Sequence, residues 1–72
     1  MDTLERYNEI MTNYRNGKYG VNSLSMYQIL EKAGEPNLFE EMSISDLEIL
    51  IKDSRGFTRQ MLIEIRDSKS RS

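Results

Sequence analysis

The stretch Arg55-Gly-Phe-Thr-Arg-Gln-Met-Leu-Ile-Glu-Ile-Arg-Asp67 decides how this chain is read. After a glycine it sets Phe57, Met61, Leu62 and Ile65 at helical intervals, so these four predict the inner side of a final helix. Upstream, Ile44, Leu47, Leu50 and Ile51 form a second stripe of the same period. Ser43 with Asp46, or Ser45 with Glu48, has the capping-box spacing that would open it. Between the stripes stands Asp53-Ser-Arg-Gly56. A single Gly inside a continuous helix costs only about 1 kcal/mol relative to Ala, which leaves an unbroken helix from 44 to 67 open. The turn-forming residues beside Gly56 favour a break, so two helices are expected.

Working back from there, the remaining chain also reads as helix. Asp2 followed by Glu5 has N-cap spacing, and Leu4, Tyr7, Ile10, Met11 and Tyr14 then recur on one side, within an arc of about 120°. Asn16-Gly17 ends that helix, because Gly is favoured just past a helix C-terminus, and Lys18 to Val21 reads as a connector. A second helix is expected from Asn22 or Ser23 to Ala33. Its apolar residues Leu24, Met26, Tyr27, Ile29, Leu30 and Ala33 spread over some 220°, which predicts the most buried helix of the set. Pro36 closes it. Asn37-Leu-Phe-Glu40 reads as one short helical turn whose Leu38 and Phe39 plug the core. The expected architecture is an all-α domain over residues 1–67, a small bundle of three long helices and one short one, with a helix-turn-helix-like arrangement of the last two as one option. Residues 68–72, Ser-Lys-Ser-Arg-Ser, are expected to be a flexible basic tail.

Composition removes whole classes of chemistry. The 72 residues include no Cys and no His, so disulfides, thiolate zinc sites and His-based triads are excluded. Glu40 and Glu41 are paired carboxylates, but adjacent helical residues diverge and do not converge on a substrate. Gly17 and Gly20 lack the lysine and the strand-to-helix context of a phosphate loop. No catalytic residue, cofactor, metal or small-molecule substrate is therefore expected. A domain this short buries only about 60% of the surface it exposes when unfolded. It leans on well-packed helices or on oligomerisation. No apolar run exceeds three residues, and the first residues do not have the make-up of a signal segment, so a soluble, cytoplasmic protein with no membrane contact is expected.

The net charge of −2 conceals a split. Residues 1–51 carry four basic against nine acidic groups, and residues 52–72 carry six against three. Such polarity suits either a nucleic-acid contact by the basic end or an acidic face offered to a partner.

Two binding readings follow. Ile51, Gly56, Phe57, Leu62 and Ile65 fall where a helix-turn-helix wants its apolar and turn residues, so the last 22 residues or so resemble that DNA-binding motif. The resemblance implies Thr58, Arg59, Gln60 and Ile63 facing the major groove, where Arg pairs with guanine, Gln with adenine and Ile with a thymine methyl, and Lys69 and Arg71 on phosphate. The departures are Lys52, where the motif takes a small residue, Arg55 just before the turn, and an overall acidic chain. The other reading starts from Ile49 and Ile63, each about 120° or more off the stripe of its own helix. Five Met and four Tyr are residues that adapt to or anchor protein surfaces. The first expectation is accordingly a small non-enzymatic regulatory or inhibitory protein. It docks on a partner, a heterologous protein or a second copy, through Ile49 and Ile63 with Arg59 and Arg66 at the rim. A DNA-binding regulator is the alternative.

Overall fold

A computed structural model describes residues 2–20 and 22–71. Among them the chain is all-α, in the order α1 (Thr3–Arg15), α2 (Met26–Lys32), α3 (Leu38–Glu41), α4 (Ile44–Asp53) and α5 (Gly56–Arg71). Two compact units divide it, residues 1–38 and 39–72.

In the first unit, the Asp2 carboxylate accepts from the Glu5 backbone N–H at 2.9 Å and so begins α1. Asn16 caps the other end, followed by Gly17 at φ +77°. The expected stripe holds: Ile10 is fully buried, and Leu4, Tyr7, Met11 and Tyr14 are half-buried. The second helix is shorter than expected. It opens at Ser25, whose hydroxyl accepts from the Gln28 N–H while the Gln28 side chain accepts from the Ser25 N–H. Ser23 sits at φ +65°, a left-handed conformation that a helix cannot include. The Leu24 N–H donates instead to the Tyr14 hydroxyl, 3.1 Å away. Only Ile29 and Leu30 of α2 are buried, and Tyr27 is 43% exposed; with Leu24 and Ala33 of the expected apolar arc lying outside the helix, it is not the most buried element. Arg6 bridges Glu9 at 2.9 Å and Glu35 at 3.3 Å. Those side chains are about a third exposed, so each pair contributes under about 1 kcal/mol. Burying a side chain such as Ile10 or Leu30 contributes about 2 kcal/mol or more, and apolar packing dominates.

In the second unit, Phe39 and Met42 are fully buried, and Leu38, the last residue of the first unit, is buried too. Ser43 caps α4 by accepting from the Asp46 N–H at 3.1 Å, which selects the earlier of the two capping registers. Leu47, Leu50 and Ile51 form its buried side. The chain does break: Ser54 is extended, at φ −94° and ψ 164°, and its hydroxyl donates to the Leu50 carbonyl. Gly56 then takes φ +61°, and α5 packs on α4. Residues 68–71, expected as tail, continue α5. Lys69 donates its ammonium to the Glu40 carbonyl, and basic groups at a helix C-terminus complement the helix dipole. Ser72 lies outside the described residues, as does Val21 of the connector.

Two apolar side chains expected to face inward do not. Ile44, taken as part of the inner stripe, is 39% exposed, because it is the first residue of α4 and the stripe is covered only from Leu47 onward. Phe57, taken as an inner residue of α5, is 85% exposed. At about 100° per residue, Met61, Leu62, Ile65 and Thr58 span an arc whose middle Phe57 misses by about 90°, and Thr58 occupies the inward position of the first turn.

Two outcomes follow from this geometry. A Cβ added at Gly56 would meet nothing within 4 Å, so Gly56→Ala costs only its left-handed backbone, about 1–2 kcal/mol, read as a lower midpoint in urea with an unchanged slope. The Tyr7 phenol titrates above its ordinary value, because burial disfavours the phenolate more than the Arg15 cation favours it. Its contribution to stability is complete below the ordinary phenol value of about 10 and is lost as pH rises through the raised folded value. Tyr7→Phe should remove that part of the alkaline loss in urea unfolding measured against pH.

Candidate functional site

The surface features worth a function lie on α4 and α5. Because Leu47, Leu50 and Ile51 turn inward, Ile49 points nearly opposite to them at about 100° per residue, and it is 49% exposed. Asp46 and Asp53 stand one turn before and after it, with Lys52 three residues on. This is the residue whose outward placement the sequence called for, and the structure leaves it uncovered.

Ile63 behaves differently. It sits about 150° from the middle of the buried arc of α5 but is half-buried. Arg59 and Asp67 flank it by one turn, and Arg66 lies three residues on. Arg66 gives Nε and Nη2 to Asp67 Oδ1 at 3.3 and 3.2 Å, so its guanidinium is held within the chain. Long side chains at this spacing can lay their stems over an apolar neighbour. Arg59 is exposed, and among the described residues it enters no ion pair.

Phe57 was missed as a surface residue. It projects from the first turn of α5, directly after the left-handed Gly56, and presents nearly its whole ring to solvent. Helical periodicity alone assigns it to the inner side, since it is four residues before Met61. The signal that could have found it is Thr58, which shares the inward arc more closely and leaves Phe57 outside it.

The residues that the helix-turn-helix resemblance implicates are dispersed. Gln60 and Arg59 are exposed, Thr58 is half-buried on the inward arc, and Ile63 is half-buried. Lys69 is occupied by the Glu40 carbonyl, and Arg71 is exposed. The connector between α4 and α5 is the pair Ser54-Arg55, and Phe57 does not pack inward as the motif requires of the apolar residue after its glycine.

Elsewhere, an open depression of about 330 Å³ is lined by Leu24, Gln28, Glu31 and Lys32. Among the described residues no group of three or more Asp or Glu is placed to hold a metal ion. No described helix is long and apolar enough to cross a membrane.

Comparison with family models, with curated proteins and with solved structures returns no match for this chain.

Proposed function

We propose that this chain is a small non-enzymatic regulatory or inhibitory protein that works by docking on another protein through the outward side of α4 and α5. The observation that carries the reading is Phe57, 85% exposed, with Ile49, 49% exposed, on the helix packed against its own. An aromatic ring in water is an unfavourable arrangement, and aromatic anchors of this kind typically contribute 2 kcal/mol or more when a partner desolvates them. Arg55, exposed two residues before Phe57, supplies a charged rim on the α5 side, which suits an interface whose centre is apolar.

The expected outcome is specific to these side chains. Substituting Ile49 and Phe57 together by Ser removes no fully buried side chain, so the fold should hold. Capture of the bound protein in affinity purification from cells should fall by at least about tenfold. Unchanged capture by the folded variant overturns the reading.

A second reading, as a DNA-binding regulator, draws on the exposure of Arg59 and Gln60 in the first turn of α5. It predicts binding to duplex DNA at about 50 mM salt, where nonspecific attraction alone is strong. The Arg59→Ala, Gln60→Ala double variant should abolish the gel shift. Absence of any shift at micromolar protein and low salt ends this reading.

A further inference from the structure

We infer that Asn16 and Gly17, at the end of α1, are a site of spontaneous covalent modification, where the Asn16 side chain closes an imide ring on the Gly17 backbone nitrogen and reopens as aspartate or isoaspartate. The site lies in the first unit and stands apart from the docking surface of α4 and α5.

Two requirements of this chemistry meet here. Ring closure needs a side-chain amide open to water, followed by a residue with no side chain to crowd the attacking nitrogen. Asn16 is exposed, and its side-chain amide bonds to no other described residue. Gly17 has no Cβ, and one built there would meet nothing within 4 Å, so open space surrounds the pair. The other asparagines are followed by Glu9, Tyr14, Ser23 and Leu38, each of which carries a side chain.

The folded end of α1 slows the reaction without abolishing it. The Gly17 N–H donates to the Tyr14 carbonyl and the Lys18 N–H to the Asn13 carbonyl, both at 3.0 Å, the paired bonds that close a helix at a left-handed glycine. Asn16 has φ −83° and ψ 3°, which turns the Gly17 nitrogen away from the Asn16 Cβ, whereas the ring brings the two nearly into line. Both restraints belong to the last turn of a helix, among the exposed residues Arg15, Asn16, Gly17 and Lys18, and terminal turns open at little cost.

The steps balance with water alone. The Gly17 nitrogen loses its proton to hydroxide and bonds to Asn16 Cγ, and the side-chain nitrogen takes up a proton and leaves as ammonia. Water then opens the imide. Cleavage at the side-chain carbonyl leaves aspartate, and cleavage at the main-chain carbonyl leaves isoaspartate, whose backbone is longer by a methylene. Either product adds a negative charge to a chain of net −2, placed where the helix dipole favours a cation. Isoaspartate also shifts the Gly17 and Lys18 N–H groups out of register with their carbonyls.

The test is incubation of the full chain at mildly alkaline pH and body temperature, native and also unfolded in urea, followed by peptide mapping by mass spectrometry. The expected result is replacement of amide nitrogen by oxygen at Asn16 before any other asparagine. Both products should form, the isoaspartate read by carboxyl methylation with a protein isoaspartate methyltransferase, and the rate should rise with pH because the attacking nitrogen must lose its proton. The native chain should react more slowly than the unfolded one, by a factor within about tenfold of the hydrogen-exchange protection of the Gly17 amide, since one local opening releases both. Asn16→Gln leaves the Gly17 cap in place and should lose the reaction, because the larger ring closes far more slowly.

A native chain with no isoaspartate after about ten half-lives of the unfolded chain overturns the inference, and so does earlier conversion of another asparagine. Aspartate formed without isoaspartate overturns the imide ring, and an undiminished mass gain in Asn16→Gln overturns the site. A native rate slowed to the full extent of global unfolding overturns the local opening.

Discussion

The second unit depends on one backbone constraint, the left-handed conformation of Gly56 after an extended Ser54. Without that reversal the two apolar stripes would lie along one continuous rod and could not cover each other. With it, α5 turns back onto α4, and Leu47, Leu50 and Ile51 share an interior with Met61 and Leu62. The Ser54 hydroxyl, bonded to the Leu50 carbonyl, satisfies one of the orphan acceptors that a helix end leaves. The same reversal places Phe57 where no helix covers it, so the feature that forms the hairpin also creates its most exposed apolar side chain.

Little else can hold a chain of this kind together. Without cysteines, and with ion pairs that are few and partly solvated, stability rests on a short list of buried apolar side chains: Ile10, Ile29, Leu30 and Leu38 in the first unit, and Phe39, Met42, Leu47, Leu50, Ile51, Met61 and Leu62 in the second. Small cores are marginal because surface falls more slowly than volume as a chain shortens. Helix caps at Asp2, Ser25 and Ser43, each contributing about 1 kcal/mol, are therefore a substantial fraction of what is available. Tyr27, Ile44, Ile49 and Phe57 are the large apolar side chains that the described residues leave exposed.

That economy bears on how the outward side of α4 and α5 is to be understood. The basic groups of α5 are not a uniform patch. Arg66 is held by Asp67 and Lys69 by the Glu40 carbonyl, which leaves Arg59 and Arg71 as its exposed cations. Affinity for nucleic acid grows with the number of phosphates neutralised, and two exposed cations on a helix flanked by an acidic one make a poor electrostatic footprint.

Much of the fold was legible because it is written in local chemistry. The cap at Asp2, the stop at Gly17, the break before Gly56 and the stripe of α1 each depend on neighbours within four residues, and the sequence contains all of them, whereas Ser43 and Ser45 are both competent caps and only the folded chain selects Ser43. Ile49 was legible for the same reason: periodicity alone puts it opposite Leu47, Leu50 and Ile51. Other features depended on which competing local option the folded chain selects. Ser23 in a left-handed turn and Leu24 bonded to Tyr14 shortened α2, since a hydroxyl ten residues away outbid a continued helix. Lys69 reaching the Glu40 carbonyl kept the expected tail helical. Above all, the side of α5 that counts as inside is set by the level and angle at which α4 meets it, which periodicity cannot supply. The amino-acid order by itself determined that a helix opens after Asp2, that it stops at Gly17 and that the chain breaks before Gly56, because those are contests between adjacent groups. Only tertiary packing decided that Thr58 faces in, Phe57 faces out and Ile63 is half-covered, because burial is a property of what lies across from a residue and not of what lies beside it.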